Sequence, residues 1–115
     1  MTNLIRLASA ALVVATLGAA SLAQANEAEN KEIVGLVGDS VFNKHDFSLL
    51  EQYMTEGYIQ HNPLVPQGRE GFRQFFEATF VGVPDWSYTL SHIAAEGDFV
   101  WVHGTYSGTH EGEWL

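Results

Sequence analysis

Residues 86–107 read WSYTLSHIAAEGDFVWVHGTYS. Two runs rich in aromatic and β-branched residues, Trp86 to Ala95 and Phe99 to Ser107, flank Glu96-Gly97, so the stretch predicts an antiparallel β-hairpin. With Glu96 and Gly97 as the loop residues, Ala94 faces Phe99, His92 faces Trp101, Leu90 faces His103 and Tyr88 faces Thr105. One face then gathers Trp86, Tyr88, Leu90, His92, Phe99, Trp101 and His103. A three-residue loop would flip one strand relative to the other and scatter the rings, so the two-residue register is expected.

Upstream of the hairpin the period changes from two to nearly four. Phe72, Phe76 and Phe80 recur every four residues with Phe75 beside them, and Arg69, Glu70, Arg73 and Glu77 take the other side. That spacing predicts an amphipathic helix from Gly68, broken by Val81-Gly82-Val83-Pro84-Asp85. An earlier helix is expected from about Ala28 to Phe42, on the stripe Ile33, Val37 and Val41, with Asn26 and Glu29 spaced as a capping box. Between the two, Asp46 can cap a shorter helix carrying Leu49, Leu50, Tyr53 and Met54, which Gly57 would end. Tyr58 to His61 favours a short strand, stopped by the Asn62 to Pro66 loop because Pro63 biases Asn62 away from helical geometry. The order helix, helix, strand, helix, antiparallel strands is an α+β pattern.

The whole chain has 115 residues, enough for one domain, with 5 Lys and Arg against 14 Asp and Glu and a formal charge of −9. Polyanions are bound through Lys and Arg that displace counterions, so this balance argues against nucleic acid and anionic lipid as partners. No cysteine is present, which excludes disulfides, thiolate metal sites and a cysteine nucleophile. Met1 to Arg6 carries one cation, Leu7 to Leu22 is uncharged, and Ala23-Gln24-Ala25 precedes Asn26-Glu27. This is the pattern of a cleavable secretory signal peptide over residues 1–25, or else of an uncleaved membrane anchor, with the A-x-A site favouring cleavage and residues 26–115 as the folded domain. A secreted or periplasmic location follows as the expectation, with no membrane contact after cleavage. At the other end, Thr109 to Leu115 lacks a closing turn or cap, so the reading expects a fold cut short of its last strands, with an exposed edge.

Four segments together resemble the SnoaL-like polyketide cyclase group of the nuclear transport factor 2-like superfamily. They are Tyr58-Ile59-Gln60-His61-Asn62-Pro63, Gly68-Arg69-Glu70-Gly71-Phe72 with Phe75-Phe76, Glu96 to His103, and Thr109-His110-Glu111-Gly112-Glu113. The resemblance implies a cone of helices on a curved antiparallel sheet, with an apolar cavity between them that takes the substrate. It also implies two departures. The group continues into further strands whose last bears a His-Trp-Asp-like motif with an acid/base Asp, and related ketosteroid isomerases place an Asp base before the proline where this chain has Asn62. An amide takes no proton at neutral pH, so Asn62 can only hydrogen-bond.

Aldol-type cyclisation removes a proton beside a carbonyl, which needs a base in a dry cavity and donors for the developing enolate. His61 is the expected base, with Gln60 and Asn62 as flanking donors, or else a loop residue bonded to backbone. His103 is a second acid/base candidate and His92 an orienting group on the aromatic face, unless both are satisfied core histidines. Trp86, Tyr88 and Trp101, with Phe99, either stack on a flat apolar or aromatic ligand or form core, and Tyr58 is either a cavity donor or wall. His45 and His110 have no expected role. The three strand histidines lack short ligand spacing and a strand carboxylate, so no metal is expected. No phosphate loop, nucleophile elbow or nucleotide fingerprint is present, so no cofactor is expected either. Three functions fit: a cofactor-free cyclase or isomerase acting on a small carbonyl compound, a non-catalytic ligand-binding module, and a protein that dimerises through its open sheet.

Overall fold

The protein is described from a computed structural model, which covers residues 26–113; the leader expected at 1–25, together with Trp114 and Leu115, lies outside the described residues. Helix α1 covers residues 26–42, α2 Leu50–Tyr53, α3 Gly68–Gly82, and strands β1 Ser87–Glu96 and β2 Phe99–Ser107 pair antiparallel. The architecture is α+β, with helices packed on an antiparallel hairpin.

The core joins the predicted stripes. Val41 of α1, Leu50 of α2 and Phe72 of α3 are buried together, and Val37, Phe42, Phe47, Met54, Tyr58, Phe76 and Phe80 pack around them. Residue 26 is already helical, so Asn26 is not the boundary that the capping-box spacing suggests. Helix α2 is a single turn. The Asp46 carboxylate accepts the Ser48 N–H at 2.9 Å, and the chain becomes helical only at Leu50, leaving at Met54 in extended conformation well before Gly57.

The strand expected over Tyr58 to His61 is a loop. A strand needs a backbone partner, whereas here the Gln67 side chain takes both Gln60 backbone groups, accepting from its N–H at 2.9 Å and donating to its carbonyl at 2.7 Å. The Gln60 side-chain oxygen accepts from the Asn62 N–H, and the Asn62 side-chain oxygen from the Leu64 N–H. The loop thus satisfies itself and returns to α3, where the Gly68 N–H donates to the Tyr58 carbonyl at 2.9 Å.

The hairpin forms where expected, but its register differs. Its loop residues are Gly97 and Asp98, with Glu96 opposite Phe99. Gly97 has φ 58°, and a type II′ turn demands positive φ at its first central position, which is the reason glycine leads the loop instead of ending it. His92 therefore faces His103 and Ala94 faces Trp101. A bulge between Leu90 and His92 then shifts the pairing by one, so that Tyr88 faces Tyr106 and Ser87 faces Ser107.

One extra residue exchanges the faces of a strand. Tyr88, Leu90, Ile93 and Ala95 share a face with Val100, Val102, Gly104 and Tyr106, whereas His92, Ala94 and Glu96 share the opposite face with Phe99, Trp101 and His103. The single aromatic face expected from the sequence is thus divided between two. Tyr88 and Tyr106 meet Phe42 of α1 at ring-centroid distances of 5.5 and 5.4 Å, which identifies their face as the one under the helices. Phe99 and Trp101, 69% and 54% exposed, lie on the other side.

Among the described residues, polar ties join the hairpin region to α1 and the turn after it. The Asn43 side-chain oxygen accepts the Tyr88 N–H at 2.7 Å, His45 Nε2 donates to the Trp86 carbonyl at 2.9 Å, and the Glu27 carboxylate accepts the Gly97 N–H at 2.7 Å. His45, for which the sequence suggests no role, also stacks on Phe80 with centroids 3.9 Å apart. After β2 the chain folds back. Asp85 accepts from the backbone and hydroxyl of Thr109, and the N–H groups of Glu111 and Gly112 donate to the Gly82 carbonyl.

Candidate functional site

Helix α1 lies over the inner face of the hairpin with a gap on each side of Phe42. On one side is a hollow of about 410 Å³, walled by Val34, Phe42, Leu90 and Val102 and bearing the polar side chains of Asp39, Asn43, Tyr88 and Tyr106. On the other is a hollow of about 560 Å³, walled by Ile33, Val37, Val41, Met54, Phe72 and Val100, with Tyr53, Thr55 and Tyr58 supplying hydroxyls. Both hollows also touch Val34, Gly38 and Phe42, so they form one apolar trough divided by a ring. A third hollow, near 630 Å³, opens instead between α2 and α3 and is lined by Glu51, Glu56, Arg69, Glu70 and Arg73. Its mixed charges suit water better than an apolar ligand.

The trough exists because small and large residues alternate where α1 crosses the sheet. Gly35 and Gly38 leave room on the helix, and Gly104 leaves room on β2, where a Cβ would come within 2.4 Å of the Tyr88 ring. Tyr88 and Tyr106 lie against each other with centroids 4.9 Å apart, and Trp86 backs Tyr106 at 5.1 Å and Phe76 at 6.4 Å. Burial, with a smaller contribution from Tyr88, holds the Tyr106 phenol above its ordinary pKa, so it stays a protonated donor through the neutral range. Asp39, on the same wall, is held below the usual carboxylate range by the hydrogen bond from Asn43 and then by Lys44. An ionised, doubly paired carboxylate is a weak proton acceptor.

The residues singled out from the sequence are distributed over three places. Tyr58 lines the larger hollow and Tyr88 the smaller one, and Trp86 packs behind Tyr106. Gln60, His61 and Asn62 lie on the loop between α2 and α3, with His61 and Asn62 exposed and the polar groups of Gln60 and Asn62 engaged within the loop. His92, His103 and Trp101 are exposed on the outer face of the hairpin, away from the trough. The expected constellation of imidazole, amide and ring therefore does not converge in one cavity.

Tyr106, Asp39 and Asn43 line the trough without having been singled out. The i, i+4 spacing of Asp39 and Asn43 on α1 is a signal that the sequence carries, and the 2.9 Å bond between their side chains follows from it. Tyr106 carries no comparable signal, because its face depends on the bulge.

The sequence profile of the SnoaL-like polyketide cyclase family matches residues 33–115. Among solved structures, the fold is similar to a chain from Jannaschia sp. CCS1 named as a SnoaL-like polyketide cyclase, with a TM-score of 0.65 and 26% identity over 77% of this chain. The matched region spans 65% of that chain's length. No curated protein matches the sequence.

Proposed function

The chain belongs to the SnoaL-like polyketide cyclase family, and from that premise we propose that it holds a small, ring-bearing carbonyl compound in the trough and enolises it without a cofactor. The observation that carries the reading is the trough itself. Its walls are aliphatic and aromatic, and its few polar groups include two neighbouring phenols, Tyr88 and Tyr106. The Tyr106 phenol, kept protonated by burial, is suited to donate to a carbonyl oxygen as negative charge develops on it. His61, the expected base, is exposed on the loop that begins at Tyr58 and is not among the residues that line the trough, so its assignment to removal of the α-proton rests on the sequence reading alone.

The binding half of the proposal stands on more geometry than the catalytic half. Asp39 is the carboxylate on the trough wall, and its pairing with Asn43 and Lys44 makes it a poor base. That observation favours a second reading, in which the trough binds its ligand and performs no chemistry.

A bicyclic aromatic ketone, 1-tetralone, separates the readings. Binding is read by quenching of intrinsic fluorescence, and enolisation by exchange of the α-hydrogens for deuterium, followed by proton NMR. Saturable binding with exchange well above the buffer rate, lowered at least about tenfold in His61→Ala with binding retained, is the expected result. Binding without accelerated exchange leaves the non-catalytic reading, and absence of binding removes both. Export is part of the same proposal. Expression with residues 1–25 in a Gram-negative host should yield periplasmic protein whose mass corresponds to a chain beginning at Asn26.

A further inference from the structure

The register that separates the rings also creates a juxtaposition that sequence spacing does not show. His92 and His103 stand opposite each other on the outer face, with ring centroids 5.8 Å apart and planes inclined by 45°. Both are exposed, so both are free to change rotamer. We propose that this cross-strand pair is a two-imidazole clip for a borderline transition-metal dication, with Cu(II) as its preferred ion.

Neutral imidazole is a common protein ligand for such ions. Two imidazoles bound cis at metal–nitrogen distances of about 2.0 Å have ring centres about 4.5–5 Å apart, so the pair needs to close by only about 1 Å. Side-chain torsions at the surface supply that movement, and the paired strands already fix the two Cα positions. The cost of bringing the ligands together has therefore been met by folding of the hairpin.

The surroundings select the ion. Thr89 and Thr105 flank the pair on one side, and Ala94 and Trp101 on the other, so the neighbouring cross-strand pairs offer no carboxylate. Among the described residues, no three His, Cys, Asp or Glu side chains cluster in a way that holds a metal. The clip therefore supplies two nitrogens, and water completes the shell. A tetragonal shell of nitrogen and oxygen suits Cu(II) and Ni(II), and divalent affinities on such ligands peak at Cu(II). A structural zinc site would want four protein ligands, and magnesium or calcium would want oxygens.

The test uses the purified protein freed of metal with a chelator and titrated with copper sulfate at pH 7.5 in a non-coordinating buffer. One equivalent should bind, with an electron paramagnetic resonance signal split by two imidazole nitrogens, and with affinity falling from copper to nickel to zinc. Bound Cu(II) should quench Trp101, which shares the outer face with the pair. The melting temperature should rise by about 5 °C or more at metal concentrations tenfold above Kd. His92→Gln and His103→Gln should each weaken binding at least about tenfold and abolish the two-nitrogen pattern. A wild-type spectrum with one imidazole or none, or unchanged copper affinity in either variant, would overturn the site. Tighter zinc than copper binding would overturn the assigned ion. The wild-type spectrum does not depend on any variant folding, and the trough on the opposite face is not involved.

Discussion

His45 shows how much a single side chain decides here. It sits at φ 53°, in the left-handed region, just past the end of α1, and its ring bonds to the Trp86 carbonyl while stacking on Phe80. His45→Ala keeps a strained backbone and loses both contacts, so it should cost about 2 kcal/mol in urea unfolding. Gly104 is the complementary case. A methyl group there meets the Tyr88 ring and the Thr89 carbonyl at 2.4 and 2.6 Å, so Gly104→Ala should destabilise the protein by about 1–3 kcal/mol and push Tyr88 out of its contact with Phe42. The Tyr88 ring shifts in NMR would report that displacement. Neither residue stands out in the sequence, because histidine in a polar turn and glycine in a strand acquire their importance from segments about 40 and 15 residues away.

Among the elements, the hairpin bulge has the widest consequences. Residues before it and after it on β1 present opposite parities, which puts Tyr88 under α1 and His92 outside. Deleting Ser91 should restore a continuous ladder at the expense of one of these placements. The expected outcome is loss of Phe42–Tyr88 contacts in NMR spectra and a melting temperature lower by several degrees. Helix α3 is the opposite kind of element, since its phenylalanine stripe follows from four-residue spacing and its Arg73 bonds to Glu70 and Glu77 from three- and four-residue spacing. The loop from Tyr58 to Gln67 lies between these cases. Its composition suits a strand, but Gln67 supplies side-chain bonds to Gln60 and no strand of the described sheet lies beside it.

Over the whole molecule, Phe42 divides the trough and touches Phe72, Phe76, Tyr88 and Tyr106. Phe42→Ala should cost about 3 kcal/mol and join the two hollows, so a bulkier ketone should bind relatively better than 1-tetralone. Stability should also follow pH in two windows. Asp39, Asp46, Glu70 and Asp85 are held below their ordinary values chiefly by hydrogen bonds, from Asn43, Ser48, Arg73 and Thr109 respectively. Lowered acids stabilise the fold while ionised, so that contribution is complete above their unfolded values and is lost as pH falls below about 4. Tyr106 is raised by burial, so its unfolded form ionises first and stability declines as pH rises above about 10. Melting temperatures between pH 2 and 11 should show both shoulders, the acid one reduced in Asp85→Asn.

The sequence by itself determined α1, α3, the presence of the hairpin and the family, because each rests on periods and turn residues that are local in the chain. Of the residues singled out from it, Tyr58 and Tyr88 line the two hollows of the trough. Only the tertiary structure decided that Gly97 leads the turn, that Ser91 is an extra residue, and hence that Tyr106 faces inward while His92, His103 and Trp101 face out. Strand parity is the physical reason: a shift of one residue changes no local propensity, yet it moves every side chain beyond it to the other face.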